Sequence, residues 1–238
     1  MLVTSYYDLY NKPEKFIEYL YLFYDLGISG IPITIFVDPS MVYKFRIFPS
    51  ITVIGLPLAE CELYTIAMNY TRDLPSNRNP QKDTQEFFAL MNTKIEFVKR
   101  AAEIHPSIDT FMWIDFGILK IVKNTDSFLS KLQEIDLMSF HNITIPGCWT
   151  PGRHFSVDQI HWRFCGGFFI IPRKHIESFY NHSRHVLNDF CTLTMYKLTW
   201  ETNVWTVIES CAENHNIEWY YADHNDSIVL HIDNISKN

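Results

Sequence analysis

The stretch Thr110-Phe-Met-Trp-Ile-Asp-Phe-Gly-Ile118 delivers one carboxylate, Asp115, at the end of an apolar run of strand length, and Gly117 follows two residues on. An acid at the carboxyl end of a strand in an α/β fold faces the crevice where ligands bind. There it can hold a ribose hydroxyl or a metal that bridges phosphates. The plainer reading is a strand-ending Asp that opens a turn, with Gly supplying backbone freedom. Glu201, in Thr199-Trp-Glu-Thr-Asn203, stands at the start of an expected helix. It is either a carboxylate favoured by the helix dipole or a general base that takes a proton from an attacking hydroxyl.

Other polar residues fall where such a site would need them. Thr4, Ser5 and Tyr6, followed by Tyr7 and Asp8, end the first strand, at the place where a first βα loop meets a nucleotide. Asp38 closes the second strand. Asn92 and Lys94 fall on the polar side of an expected long helix, where Lys94 is either solvated or offsets diphosphate charge, with Arg153 and Arg163 as rival cations. Gly166 and Gly167 mark a bulge or tight packing, or else let a sugar lie against the main chain beside Trp162. Asp223 and His224 come after the last aromatic strand and can reach a phosphate or a metal, although a single late His is also an ordinary surface residue.

The elements that must position these residues alternate. A strand at 2–6, a helix at 13–26 and a strand at 31–37 form a βαβ opening, and a further β-prone run follows at 51–54. A polar loop at 72–82, open to motion, leads to a helix capped by Asp83 or Thr84 and ending near Glu103, with Phe87, Phe88, Met91, Ile95 and Val98 on one face. Beyond Asp115, residues 126–135 read as helix, 143–156 as irregular, 164–171 as a strand opened by the Gly pair, and 172–187 and 201–214 as helices. Residues 219–221 make a last strand, and 228–232 are expected to add an edge.

Composition limits the classes. A chain of 238 residues with 47% apolar content can bury one sizeable core, so a single domain is expected. Twenty Lys and Arg against 27 Asp and Glu give a formal charge of −7, which argues against a protein that coats nucleic acid and leaves room only for a local basic pocket. Five cysteines without a C-x-x-C pair, and ten histidines without H-x-x-x-H spacing, suggest reduced thiols, no disulfide framework and no zinc site. Residues 1–7 lack the pattern of a signal peptide, and no run approaches a membrane span, so a cytoplasmic or otherwise soluble protein is expected. No G-x-G-x-x-G, Walker A or G-x-S-x-G motif occurs.

In order along the chain, Leu2-Val-Thr-Ser-Tyr-Tyr-Asp8, Asp83-Thr-Gln-Glu-Phe-Phe-Ala-Leu-Met-Asn-Thr-Lys94, Phe111-Met-Trp-Ile-Asp-Phe-Gly117, Cys165-Gly-Gly-Phe-Phe169, Trp200-Glu-Thr-Asn-Val204 and Tyr220-Tyr-Ala-Asp-His224 resemble a glycosyltransferase of the GT-A type. The likeness is greatest to the HtrL/YibB-like family. It implies a Rossmann-related α/β domain with a central mixed, mostly parallel sheet flanked by helices, a nucleotide-binding half at 1–118 and an acceptor half at 119–238. It also implies a nucleotide-sugar donor, commonly a uridine diphosphate sugar, and a glycan or protein acceptor.

On this likeness Thr4, Ser5, Tyr6, Asp38, Asn92, Lys94, Asp115, Gly166 and Gly167 bind the donor, and Glu201 and Asp115 are catalytic, Glu201 as the base if the transfer inverts, whereas a retaining transfer needs no such base. Asp115 matches the first acid of the D-x-D element. Gly117 replaces the second acid, so Mn or Mg would be held by Asp115, the donor phosphates, water and His224, or replaced by Lys94 or an Arg. A catalytically silent sugar- or nucleotide-binding protein on the same fold is the alternative, and a two-metal phosphoryl-transfer enzyme, which needs more carboxylates, ranks third.

Overall fold

Seven short strands form one sheet in the computed structural model, which describes residues 1–45, 48–152, 156–211 and 216–235. The strands are β1 (Leu2–Tyr6), β2 (Ile33–Val37), β3 (Ile51–Gly55), β4 (Thr110–Ile114), β5 (Ile143–Gly147), β6 (Phe168–Pro172) and β7 (Ile217–Tyr221), and their spatial order is β3-β2-β1-β4-β6-β5-β7. Every pairing is parallel except the two made by β6, so the expected mostly parallel sheet is present.

Side chains alternate across the sheet, which is buried on both faces. From β4, Phe111 and Trp113 join a core with Val3, Phe97, Phe169 and Trp205, while Met112 and Ile114 join a second core with Leu2, Phe23, Ile35 and Phe168. Burial on both sides explains why β2, Ile-Thr-Ile-Phe-Val, reads as a continuous apolar run.

Helix α1 (Pro13–Gly27), started by a proline and Glu14, links β1 to β2. The chain then moves outward to β3 and returns through α2 (Glu62–Met68), α3 (Gln85–Asn92) and α4 (Lys94–Ile104) to place β4 on the other side of β1. This reversal makes the junction of β1 and β4 a topological switch point, with a crevice outside their carboxyl ends. Helix α5 (Thr125–Asp136) is capped by the Asn124 side chain, which accepts from Ser127 N at 3.0 Å; α6 (Arg173–Thr192), α7 (Glu201–Ser210) and α8 (Ser227–Leu230) complete the layers. None of the described helices is long and apolar enough to cross a membrane.

Three local expectations are corrected. The helix expected to run unbroken from Thr84 to Glu103 is two helices: Thr84 caps α3, but Thr93 turns its hydroxyl back to Ala89 O at 2.8 Å and the chain bends there. On either side of this break Asn92 and Lys94 lie in the interior and not on a polar face, 5% and 1% exposed.

The segment expected to be irregular contains β5. Its Pro146 is tolerated because the β6 side of that strand is paired only at Thr144↔Ile170. The expected edge at 228–232 is α8 with a following 3₁₀ turn, started by Asn225, whose side chain accepts from Ser227 N at 2.9 Å. The short helix α2 was not anticipated.

Candidate active site

At the switch point lies a cleft of about 540 Å³. Ser5, Tyr6, Tyr7 and Asp8 enter it from the end of β1, and Trp113, Asp115, Phe116, Gly117 and Ile118 from the end of β4. Its walls are aromatic, with Tyr6, Tyr10, Tyr19, Phe87 and Trp200 among them, and four lysines ring it: Lys12, Lys15, Lys82 and Lys120. Lys120 pairs with Glu18 at 3.3 Å, whereas Lys12, Lys15 and Lys82 have no carboxylate within salt-bridge distance among the described residues. Lys82 lies over Trp200 at 4.7 Å and over Phe87 at 5.2 Å. In an acidic chain this is a local concentration of positive charge.

The loop expected to be mobile is tied down. Tyr10 donates its hydroxyl to Lys82 O, Asn77 exchanges two hydrogen bonds with Ile160, and Arg72 donates to Phe190 O and Tyr196 O.

A larger cavity, about 770 Å³, opens at the opposite end of the sheet, among Met1, Asp109, Thr110, Asp136 and Arg173. It lies at the amino ends of β1 and β4, where parallel strands offer no convergent loops, and Met1's ammonium there is already bound to Asp136 at 3.0 Å.

Behind the 540 Å³ cleft sits a buried charge cluster. Lys94, at the start of α4, donates to Gly166 O at 2.8 Å and Glu201 Oε1 at 2.7 Å, and lies 3.0 Å from Asp115 Oδ1. Trp113 Nε1 also donates to Asp115 Oδ1, at 2.8 Å, so this one oxygen takes both Lys94 and Trp113 while the residue lines the cleft. The Asp115 side chain is 38% exposed.

Burial alone would lower the Lys94 ammonium, but Asp115 and Glu201 outweigh it and raise it above 10.5. Burial pushes the Glu201 carboxyl up while Lys94 pulls it down. The 2.7 Å contact with a lysine held charged by two acids makes the ion pair the state we assign.

The expected residues divide sharply. Ser5, Tyr6 and Asp115 line the cleft. Gly167 borders it: its carbonyl accepts from Asp115 N at 2.9 Å, and an added Cβ would sit 3.6 Å from Asp115 Oδ2. Gly166 and Lys94 belong to the buried cluster.

Thr4 is fully buried in the sheet. Asp38 spends its carboxylate on Ser40 N, at 2.9 Å, capping a 3₁₀ turn at Pro39–Lys44. Asn92 donates to Phe88 O and Thr199 O, both at 2.8 Å, bracing α3 against the segment before α7. Each of the three has a structural role, and none of them is among the residues that line the cleft. Arg163 is buried with a bidentate bond to Glu209 and so offers no phosphate contact, and Arg153 lies outside the described residues.

Glu201 is 1% exposed, with an added Gly166 Cβ only 2.1 Å from its Oε1. The reading of Glu201 as a base on an acceptor hydroxyl needs solvent access that this burial does not give. His224 joins Cys148 and Cys165, whose sulfurs are 3.4 Å apart, with one ligand atom from each of the three residues within 4.8 Å of the others. The bond from Cys165 and the nearby imidazole draw the Cys148 thiol down to about 5, and the bond to Cys148 raises His224. The sequence reading missed this cluster and the four cleft lysines, because neither leaves a local spacing signal.

No family model matches the chain, so the HtrL/YibB-like likeness rests on the quoted motifs alone. No curated protein matches it in sequence. Among solved structures it is similar to a glycosyltransferase involved in glycosylation of the major capsid of PBCV-1, with 12% identity, a TM-score of 0.43, and coverage of 93% of this chain and 81% of that one. It is also similar to the glycosyltransferase GlyE of Streptococcus pneumoniae TIGR4, with 10% identity, a TM-score of 0.41, and coverage of 92% of this chain and 44% of that one.

Proposed function

We propose that the chain is a glycosyltransferase that moves a sugar from a nucleoside-diphosphate sugar, a uridine diphosphate sugar as first choice, to a hydroxyl of a glycan or protein. The observation that carries this reading is the cleft at the β1/β4 switch point, which combines aromatic walls, three lysines without a salt-bridge partner among the described residues, and the carboxylates of Asp115 and Asp8. Aromatic faces suit a base, ammonium groups suit a diphosphate, and a carboxylate suits sugar hydroxyls. Apart from Lys120, Ile121 and Trp200 every lining residue falls within 1–118, which supports donor binding by that half.

In this reading the acceptor hydroxyl attacks the anomeric carbon and the nucleoside diphosphate leaves. Lys82, Lys12 and Lys15 offset the charge that develops on the departing diphosphate. Asp115 Oδ2 binds the donor, and Gly167 leaves room beside it. Lys94 and Glu201 are positioning residues, which fix Asp115 from behind.

A Mn or Mg ion would find Asp115 Oδ2 as its single carboxylate ligand from the D-x-D position, a poor set for a hard cation that prefers several oxygens. We therefore assign the phosphate charge to the lysines.

The test is a thermal-shift screen of uridine, guanosine and thymidine diphosphates and their sugars, with and without Mn, on the wild type and Asp115→Ala. A shift for one nucleotide that needs no metal and is lost in the variant supports the assignment. No shift with any nucleotide in folded protein sinks it. The burial of Glu201 favours a second reading, a catalytically silent sugar- or nucleotide-binding protein. Release of free nucleoside diphosphate from a donor that binds separates the two.

A further inference from the structure

We propose that Cys148, Cys165 and His224 form a zinc site, with three protein ligands and a fourth position open to water or a ligand oxygen. The three residues come from different loops, and the sheet fixes each of them. Cys148 directly follows β5, and its N–H donates to Arg163 O at 2.9 Å. Cys165 lies across the Gly147↔Phe164 bridge, and its N–H donates to Pro146 O at 2.9 Å. His224 follows β7, whose register with β5 places Gly147 opposite Tyr221 and lets Ala222 N donate to Gly147 O at 2.9 Å. The ligand backbones are therefore set by ladder hydrogen bonds before any ion arrives, which lowers the ordering cost of binding.

The distances suit the ion. Zinc takes thiolate sulfur at about 2.3 Å and imidazole nitrogen at about 2.0–2.1 Å in a tetrahedron, which separates two sulfurs by roughly 3.8 Å. Here the sulfurs are 3.4 Å apart, and the third ligand atom is within 4.8 Å of both. A small side-chain rotation closes the difference. Cys148 is half-buried and His224 exposed, so both can turn, and the exposed side is an entry path.

Asp223 accepts from the backbone N–H of His224 at 2.7 Å, which fixes the main chain there, and Trp162 packs edge-on to the imidazole at 5.1 Å, which restrains the ring. Two thiolates and an imidazole favour zinc over the hard ions Mg and Mn. Among the described residues no other group of three or more His, Cys, Asp or Glu meets this spacing.

The site has a structural consequence near the cleft. Cys165 precedes Gly166, whose carbonyl accepts from Lys94, and Gly167, whose carbonyl accepts from Asp115 N. A bound ion would tie the loops after β5 and β7 to the strap that carries both contacts.

The experiment uses the full chain, reduced, with free thiols counted after denaturation, then stripped with chelator and titrated with cobalt as the spectroscopic probe. The expected result is a thiolate-to-cobalt charge-transfer band and tetrahedral visible bands that saturate at one ion per chain, vanish on adding zinc, and accompany a rise in Tm. Cys148→Ser and Cys165→Ser each remove or shift the charge-transfer band, His224→Ala weakens binding at least tenfold, and Cys211→Ser behaves as wild type. Far-UV circular dichroism confirms folding of each, and Cys148→Ser, at a half-buried position, covers the case in which Cys165→Ser unfolds. Fully reduced protein without the charge-transfer band, or a band that survives Cys148→Ser together with Cys165→Ser, overturns the assignment.

Discussion

Lys94 is the most heavily committed charge in the molecule, an ammonium 1% exposed with Glu201 at 2.7 Å and Asp115 at 3.0 Å. Removing one partner of such a cluster leaves uncompensated buried charge, a loss of about 3–5 kcal/mol. Lys94→Met is therefore expected to lower unfolding free energy by that amount in urea titrations, and adding Glu201→Gln to recover part of it. The pH dependence follows from the raised Lys94 value. A folded-state pKa above the unfolded one gives stability that is complete below about 10.5 and disappears as pH rises through the folded value. The stability gap between wild type and Lys94→Met should thus narrow only above 10.5, and at lower pH it widens with rising pH wherever Glu201, without its cation, is forced to ionise. A gap that narrowed already between pH 7 and pH 9, measured by urea titration, would show that Lys94 is not the charged centre of the cluster.

Among the elements, the strap of Gly166 and Gly167 between the isolated bridge and β6 connects the buried cluster to the cleft. The two glycines should respond differently to alanine. At Gly166 the new Cβ would meet Glu201 Oε1 at 2.1 Å and Thr202 Cγ2 at 3.1 Å, so Gly166→Ala is expected to cost about 1–3 kcal/mol of stability. At Gly167 the nearest atom is the far end of Ile118, at 3.0 Å, which can turn away, but the methyl would crowd Asp115 Oδ2 at 3.6 Å. Gly167→Ala should therefore keep a near-native Tm and lose nucleotide-sugar affinity, read by calorimetric titration. Equal effects of the two changes on Tm would remove the strap from the functional account. A milder test applies to α3, whose Thr84 side chain accepts from Phe87 N at 3.2 Å. Thr84→Ala should cost about 1 kcal/mol.

For the whole molecule, charge distribution matters more than net charge. The chain carries −7, yet its cleft gathers four lysines, so ligand binding there should depend on ionic strength in the direction of an anion meeting cations. Raising salt is expected to weaken nucleotide binding, and Lys82→Ala to weaken it about tenfold, the scale of one hydrogen bond to a charged group. Salt-independent binding would place the phosphates elsewhere.

Sequence alone determined the parts governed by local rules. Apolar runs and period marked β1, β2 and β4, Pro13 and Thr84 started their helices, and Asp115 was recognisable as an acid at the end of a buried strand. Tertiary structure decided the pairings between distant residues. Lys94 and Glu201 are 107 positions apart, and Cys148 and Cys165 meet only because an antiparallel bridge folds their segments together. Strand β5 escaped notice because Pro146 and Gly147 carry turn signals that its neighbours in the sheet override. Helical periodicity put Lys94 on a polar face, whereas the fold pairs it in the interior with Asp115 and Glu201. Local propensity is set by each residue and its near neighbours, whereas strand order and burial come from contacts between distant segments, and no short stretch of sequence encodes those.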